Sequence, residues 1–272
     1  MNSHYPFNEV QKLLASAQSV LLAAGKPSNT DQVAAALALF LSLKKADKQV
    51  SVVSPEEMRV EFSRLVGVDK IRNQLQKQDL ILAFPIEKVE KISSSPDEAE
   101  GKLNIVVQLK PDMAPIKKEE IVFSSGGGIP DMIFTLGTKT LQDLEQIYQK
   151  NENLFKQKPV VNIDSYPQNS QYGQIKLLNP TASSCSEIVA GMIKSLNLPV
   201  DGDIAANLLM GLRQATQGFQ SPRTTPEAFE AAAFCLRSGA KTNQFRPPRD
   251  LGSSMPSPDW LEPKIYKGST LV

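Results

Sequence analysis

The sequence predicts an α/β protein with a mainly parallel sheet flanked by helices and a small antiparallel β insert. Three observations predict it. Residues 19–24 and 49–53 are short β-rich apolar runs, separated by a loop and a strongly apolar stretch of helical length at 32–46. Strand, loop, helix and strand within roughly thirty residues make a βαβ unit with a right-handed crossover. Residues 160–164 repeat the apolar run and lead into Asp164, Ser165, Tyr166 and Pro167, so a buried strand delivers polar side chains at its C-terminal tip. Open α/β sheets keep their sites there. Between 86 and 125, alternating segments without crossover helices read as antiparallel strands.

In chain order, Asn8 can cap a helix to about residue 17, with Val10, Leu13, Leu14 and Ala17 on one face. After the βαβ unit come a helical segment at 55–65, a short one at 68–74 and a buried strand at 79–85. The insert strands fall at 86–94, 102–110 and 119–123, and Gly126, Gly127 and Gly128 return the chain to a main-sheet strand at 130–137. A helix at 141–152, the strand at 160–164 and a short strand at 175–178 follow. Three helices then start at Ser184, at Asp201 or Asp203, and at Thr224 or Thr225 with Pro226; the second runs to about Phe219. The organisation expected is an α/β domain over 1–85 and 126–240, an insert over 86–125 and an extended Pro-rich tail over 241–272.

Composition removes several function classes. The chain has 272 residues, 41% hydrophobic and 22% charged, enough for an ordinary soluble core. Thirty Lys and Arg against 29 Asp and Glu leave a net charge of +1, without the basic footprint of a dedicated nucleic-acid binder. Cys185 and Cys235 form neither a metal pattern nor a disulfide framework and read as buried thiols in a reducing compartment. The one histidine, His4, lies in an N-terminal tail, so a His pair or a Ser-His-Asp triad is abandoned. With no signal peptide visible and the longest apolar run well short of the ~20 residues of a membrane span, a cytoplasmic location without membrane attachment is expected.

Individual residues carry weaker signals. Gly25 and Lys26 do not make a P-loop, because the required second glycine is missing and Pro27 follows the lysine. Asn29 and Asp31 stand two apart before the apolar helix; either they face the strand tips or Asp31 is a first-turn residue favoured by the helix dipole. The glycines at 126–128 either cradle a phosphate or form a flexible return loop. Ser184 and Glu187 have the spacing of a capping box.

Four strings together resemble the N-terminal domain of the DHH phosphoesterases, in the oligoribonuclease and pAp phosphatase branch. They are 31–39, beginning Asp31-Gln32-Val33, then Asn162-Ile163-Asp164, Asn179-Pro180-Thr181-Ala182-Ser183-Ser184, and Thr224-Thr225-Pro226-Glu227. The likeness covers about residues 8–84 and 129–240. It implies two Mn²⁺ ions held by His and Asp at strand tips, one activating water while both stabilise phosphate charge. The family's His-x-Asn-Pro-Asp-Gly-Asp falls on Gly25, Lys26, Pro27, Ser28, Asn29, Thr30 and Asp31. Its second-motif Asp falls on Gly137, its Asp-His-His on Asp164, Ser165 and Tyr166, and its later Asp on Ala215.

The resemblance therefore implies a vestigial site at Asn29, Asp31, Gly137, Asp164, Ser165, Tyr166 and Ala215, with no metal. Asp31 and Asp164 alone do not offset the dehydration of two divalent ions. The family's C-terminal Gly-Gly-His domain is also expected to be absent, since a Pro-rich tail follows Ala240. The expected function is a catalytically degenerate module binding a nucleotide or phosphorylated small molecule through Lys26, Asn29, Thr30, Ser165 and Tyr166, or a protein partner. The alternative is a metal-dependent phosphoesterase acting on short oligonucleotides, pAp or cyclic dinucleotides through a non-standard site and using Mn²⁺.

Overall fold

The computed structural model describes residues 5–75, 79–126 and 129–241. Its strands are β1 (Ser19–Ala24), β2 (Gln49–Val53), β3 (Ile71–Arg72), β4 (Asp79–Ala83), β5 (Val89–Asp97), β6 (Lys102–Leu109), β7 (Val122–Gly126), β8 (Met132–Leu136), β9 (Val160–Asp164) and β10 (Ile175–Leu178). Its helices are α1 (Phe7–Ser16), α2 (Thr30–Lys45), α3 (Gln146–Gln149), α4 (Glu152–Gln157), α5 (Cys185–Ser195), α6 (Gly202–Ala215) and α7 (Pro226–Arg237).

Six strands form one parallel sheet in the order β10-β9-β8-β1-β2-β3. The chain steps outward from β1 through β2 to β3, then returns to the other side of β1 and proceeds through β8 to β10. The junction of β1 and β8 is thus the topological switch point. Register aligns the tips, because Ala24 sits opposite Leu136 and Leu136 opposite Ile163. The loops leaving β1, β8 and β9 consequently emerge side by side.

α2 begins with a complete capping box: the Asn29 side chain accepts from the Gln32 N–H, and the Gln32 carboxamide accepts from the Asn29 N–H. Lys44 and Lys45 in its last turn complement the dipole. The helix is buried almost all round because the sheet lies on one side and α5 and α6 on the other. On the opposite face of the sheet, Leu21, Ile133 and Val160 pack against Leu144, Ile147 and Phe155.

Several expected elements change form. The segment at 55–65 holds only a 3₁₀ turn at Val60–Phe62: Phe62 and Leu65 are buried while Val60 is 88% exposed, too narrow an apolar stripe for a full helix. The expected helix at 141–152 breaks into a 3₁₀ turn (Leu141–Leu144), α3 and α4, because Glu145 takes a φ of +47°. That turn lets the Asp143 carbonyl accept from the Lys26 N–H at 2.9 Å. α6 stops at Ala215 rather than near Phe219, where the Thr216 hydroxyl bonds the Leu212 carbonyl and accepts from the Phe219 N–H. The starts of α6 and α7 resolve to Asp201 and Thr225, each accepting from the N–H three residues on.

The strand expected at 79–85 joins the insert instead of the main sheet. β4 pairs antiparallel with β7, since the six residues between β3 and β4 are too few for a parallel crossover, which needs about a dozen or more. β5 and β6 form a separate antiparallel hairpin. The insert leaves Ile92, Leu103, Ile105, Val106 and Phe123 exposed. Gly127 and Gly128, His4 and the tail from 242 lie outside the described residues. Both cysteines are buried, and among the described residues no helix is long and apolar enough to cross a membrane.

One side chain ties the irregular 60–68 segment to α6: Asn207 accepts from the Val66 N–H at 2.9 Å and donates to the Val66 carbonyl at 3.0 Å. Asn207→Ala strands both backbone groups. It is expected to cost about 1–3 kcal/mol, read as a lower urea midpoint at unchanged m-value.

Candidate functional site

Asp31 lies in the first turn of α2, beside the tip of β1, and is 7% exposed. Its side chain leaves its own helix and takes hold of another. One carboxylate oxygen accepts from the Cys185 N–H at 2.7 Å and the other from the Ser186 N–H at 2.9 Å, the first two residues of α5. A carboxylate at a helix N-terminus satisfies orphan donors and complements the dipole. Burial nevertheless pushes the pKa up to about 6, against the Ser186 hydroxyl and the two N–H donors, with Glu187 adding repulsion.

The position expected for a second carboxylate, Gly137, follows β8 with a φ of +57°. The space in front of it is filled. Gln32 donates its carboxamide N–H to the Gly137 carbonyl at 2.7 Å, and a Cβ on Gly137 would collide with the Gln32 side chain. The same glutamine completes the α2 capping box, so one residue closes both the helix start and the β8 tip.

Asp164, at the tip of β9, is 1% exposed. One oxygen accepts from the Tyr166 N–H at 3.0 Å and the other from the Asn169 carboxamide at 2.7 Å. Asn169 also donates to the Thr138 carbonyl, and its own oxygen accepts from Asn162 and the Gln171 N–H. Burial raises the Asp164 pKa, opposed by Asn169, by the N–H groups of Tyr166 and Ser165, and by Lys139. Ser165 is buried and bonds the Cys185 thiol, whose pKa burial drives well up. The Tyr166 hydroxyl accepts from the Asn29 carboxamide at 3.0 Å, and Lys139 Nζ lies 4.7 Å from the centre of its ring.

The fold therefore brings Asn29, Asp31, Gly137, Asp164, Ser165 and Tyr166 to neighbouring strand tips. Ala215 sits one helical turn beyond Gly211, where a Cβ would collide with Ser186 Oγ and stand 3.1 Å from an Asp31 oxygen. Lys26 is half-exposed and pairs with Glu145 at 3.1 Å, and Thr30 opens α2 half-buried. Sequence reasoning missed Gln32, Lys139 and Asn169. Gln32 was legible in one respect, as the third residue after a capping Asn; nothing local marks the other two.

Two Mn²⁺ ions do not fit this donor set. Each carboxylate already accepts from protein N–H donors on both oxygens, and a carboxamide occupies the Gly137 position. Among the described residues no three His, Cys, Asp or Glu side chains gather as a metal group.

Two outcomes follow. Introducing a carboxylate by Gly137→Asp strains a left-handed position and collides with Gln32, so a loss of about 2 kcal/mol or more is expected, partly recovered by adding Gln32→Ala; thermal melts of the single and double variants check it. For Asp31, a folded pKa of about 6 against an ordinary 3.8 means that the folded chain holds the extra proton between those values. Stability then falls as pH rises through that window, by about 3 kcal/mol in all, and levels off above it. Denaturant melts at a series of pH values should show this fall in the wild type relative to Asp31→Asn; a difference independent of pH contradicts it.

No family profile matches the chain. An exopolyphosphatase-related protein from Bacteroides fragilis shares its α/β fold, with a TM-score of 0.61 at 15% identity over 87% of this chain and 57% of that one. The uncharacterized MG371 homolog of Mycoplasma pneumoniae is 29% identical over 87 residues, and uncharacterized MG371 of Mycoplasma genitalium 26% identical over 87. In each case the match takes in 32% of this chain and 27% of the relative, so the chain spans about a quarter of the length of the curated relatives it matches.

Proposed function

We propose that the chain is a catalytically degenerate relative of the DHH phosphoesterases, kept as a module that binds a nucleotide or phosphorylated small molecule at the tips of β1, β8 and β9. The observation that carries the reading is the state of the two remaining family carboxylates. Asp31 holds the start of α5 and Asp164 holds its own loop, so both act as structural acceptors. The fold likeness to an exopolyphosphatase-related protein supports the ancestry.

Ligand binding is supported by what surrounds them. Lys26 and Lys139 put two ammonium groups on loops leaving adjacent strands, and Tyr166 offers a half-buried ring with a hydroxyl beside Asn29. An anionic group held by the lysines would stand next to an aromatic face suited to a base.

Incubation with Mn²⁺ and pApA, short RNA or cyclic di-AMP is expected to give no turnover above a metal-only blank. Turnover that disappears in a folded Asp164→Ala variant would establish the hydrolase alternative instead. A nucleotide at a hundred times its Kd should stabilise the fold by about 2.7 kcal/mol, a melting rise of roughly 5–10 °C for a domain of this size. Lys26→Gln should shrink that rise. A nucleotide panel that leaves the melting temperature unmoved rules out the binding reading.

A further inference from the structure

A second concave site lies at the β10 edge, away from the strand tips. A cavity of about 540 Å³ opens between the start of α1, the end of β10, α5 and the start of α7. That volume suits a small organic ligand, which typically occupies about 300–1,000 Å³. One wall is aromatic: the Tyr5 and Phe7 rings stack at 5.2 Å.

The charged groups lining it are two carboxylates, Glu187 and Glu227, and one ammonium, Lys176. Glu187 carries the argument. It is 7% exposed, and its Oε2 accepts from the Ser183 N–H at 3.0 Å and the Thr225 hydroxyl at 2.7 Å. Its Oε1 has no partner among the described residues, and no cation there forms an ion pair with it. A desolvated carboxylate ordinarily has a counter-charge or a full set of donors; here half the group faces a cavity. Tyr5 reports the same field, since its hydroxyl is pushed up to about 12, first by burial and then, against its bond to Asn179, by Glu187 and Glu227 among nearby groups.

We propose that this cavity binds an organic cation, a molecule whose ammonium or guanidinium group pairs with Glu187 Oε1 and lies against the Tyr5 ring. Glu227, exposed in the first turn of α7, adds attraction at the rim. Lys176, also exposed, opposes it. A bare divalent metal is a poorer occupant, since it needs more anionic oxygens than two carboxylates supply. The inference does not depend on the strand-tip site, which calls for a ligand of opposite charge.

The test is calorimetric titration of the full chain with agmatine and spermidine, with AMP and MgCl₂ as controls. At least one amine is expected to bind. Glu187→Gln should weaken it about tenfold or more, the loss of one charged hydrogen bond. Glu227→Gln should weaken it less, and Lys176→Gln should tighten it several-fold. Because Lys176 is a surface residue, its variant gives a reading even if Glu187→Gln fails to fold. The proposal is overturned if neither amine binds at millimolar concentration, if binding ignores both the Glu187 and Lys176 substitutions, or if Mg²⁺ alone competes the amine away.

Discussion

The grip of Asp31 on the first turn of α5 fixes the relation of the helices to the sheet. The carboxylate starts on α2, which packs on β1, β2 and β8, and ends on the backbone of Cys185 and Ser186. α6 closes over the same point, and it can do so because Gly211 has no side chain to meet Ser186 Oγ and Asp31. Three helices thus converge on one buried carboxylate. A metal there would compete with the N–H donors that hold α5. The carboxylate thus serves as the anion that a helix start favours.

At the strand tips, side-chain amides fill the space in front of the sheet. Gln32 fills the space before Gly137 and donates to its carbonyl while completing the α2 cap. Asn169 gathers Asp164, Asn162 and the Thr138 carbonyl into one fully bonded amide network. Carboxamides supply both donors and acceptors, so they satisfy buried carboxylates and carbonyls with no counter-ion. Both networks leave strand pairing intact.

The sequence made legible whatever is local. The βαβ unit, the polar tip of β9 and the caps at Ser184, Asp201 and Thr225 all follow from spacing over a few residues. What it concealed is long-range. Asp31 and Cys185 are 154 positions apart, Gln32 and Gly137 are 105 apart, and only the folded sheet brings them together. The spacing of Ser184 and Glu187 suggested a reciprocal box, yet only half of it forms: Ser184 takes the Glu187 N–H, while the Glu187 carboxylate turns to Ser183 and Thr225. The helix at 141–152 failed for a similar reason, because a turn at Glu145 that serves the Lys26 loop overrode an apolar pattern that would otherwise support a helix.

That half-formed box joins the two regions of the molecule. Asp31 and Glu187 both lie at the N-terminal turn of α5, one bonding Cys185 and Ser186, the other bonding Ser183 and bridging to the start of α7. Repulsion from Glu187 is among the influences that raise the Asp31 pKa, after burial. The dipole of a single helix has two carboxylates to stabilise, and the one with an uncommitted oxygen faces the β10 cavity. A positive group held there would offset that repulsion and lower the Asp31 pKa somewhat, while burial would still hold it up. If a cation occupies the cavity, its binding and protonation of the buried strand-tip carboxylate would be coupled through α5, and by reciprocity ionisation of Asp31 would favour the cation.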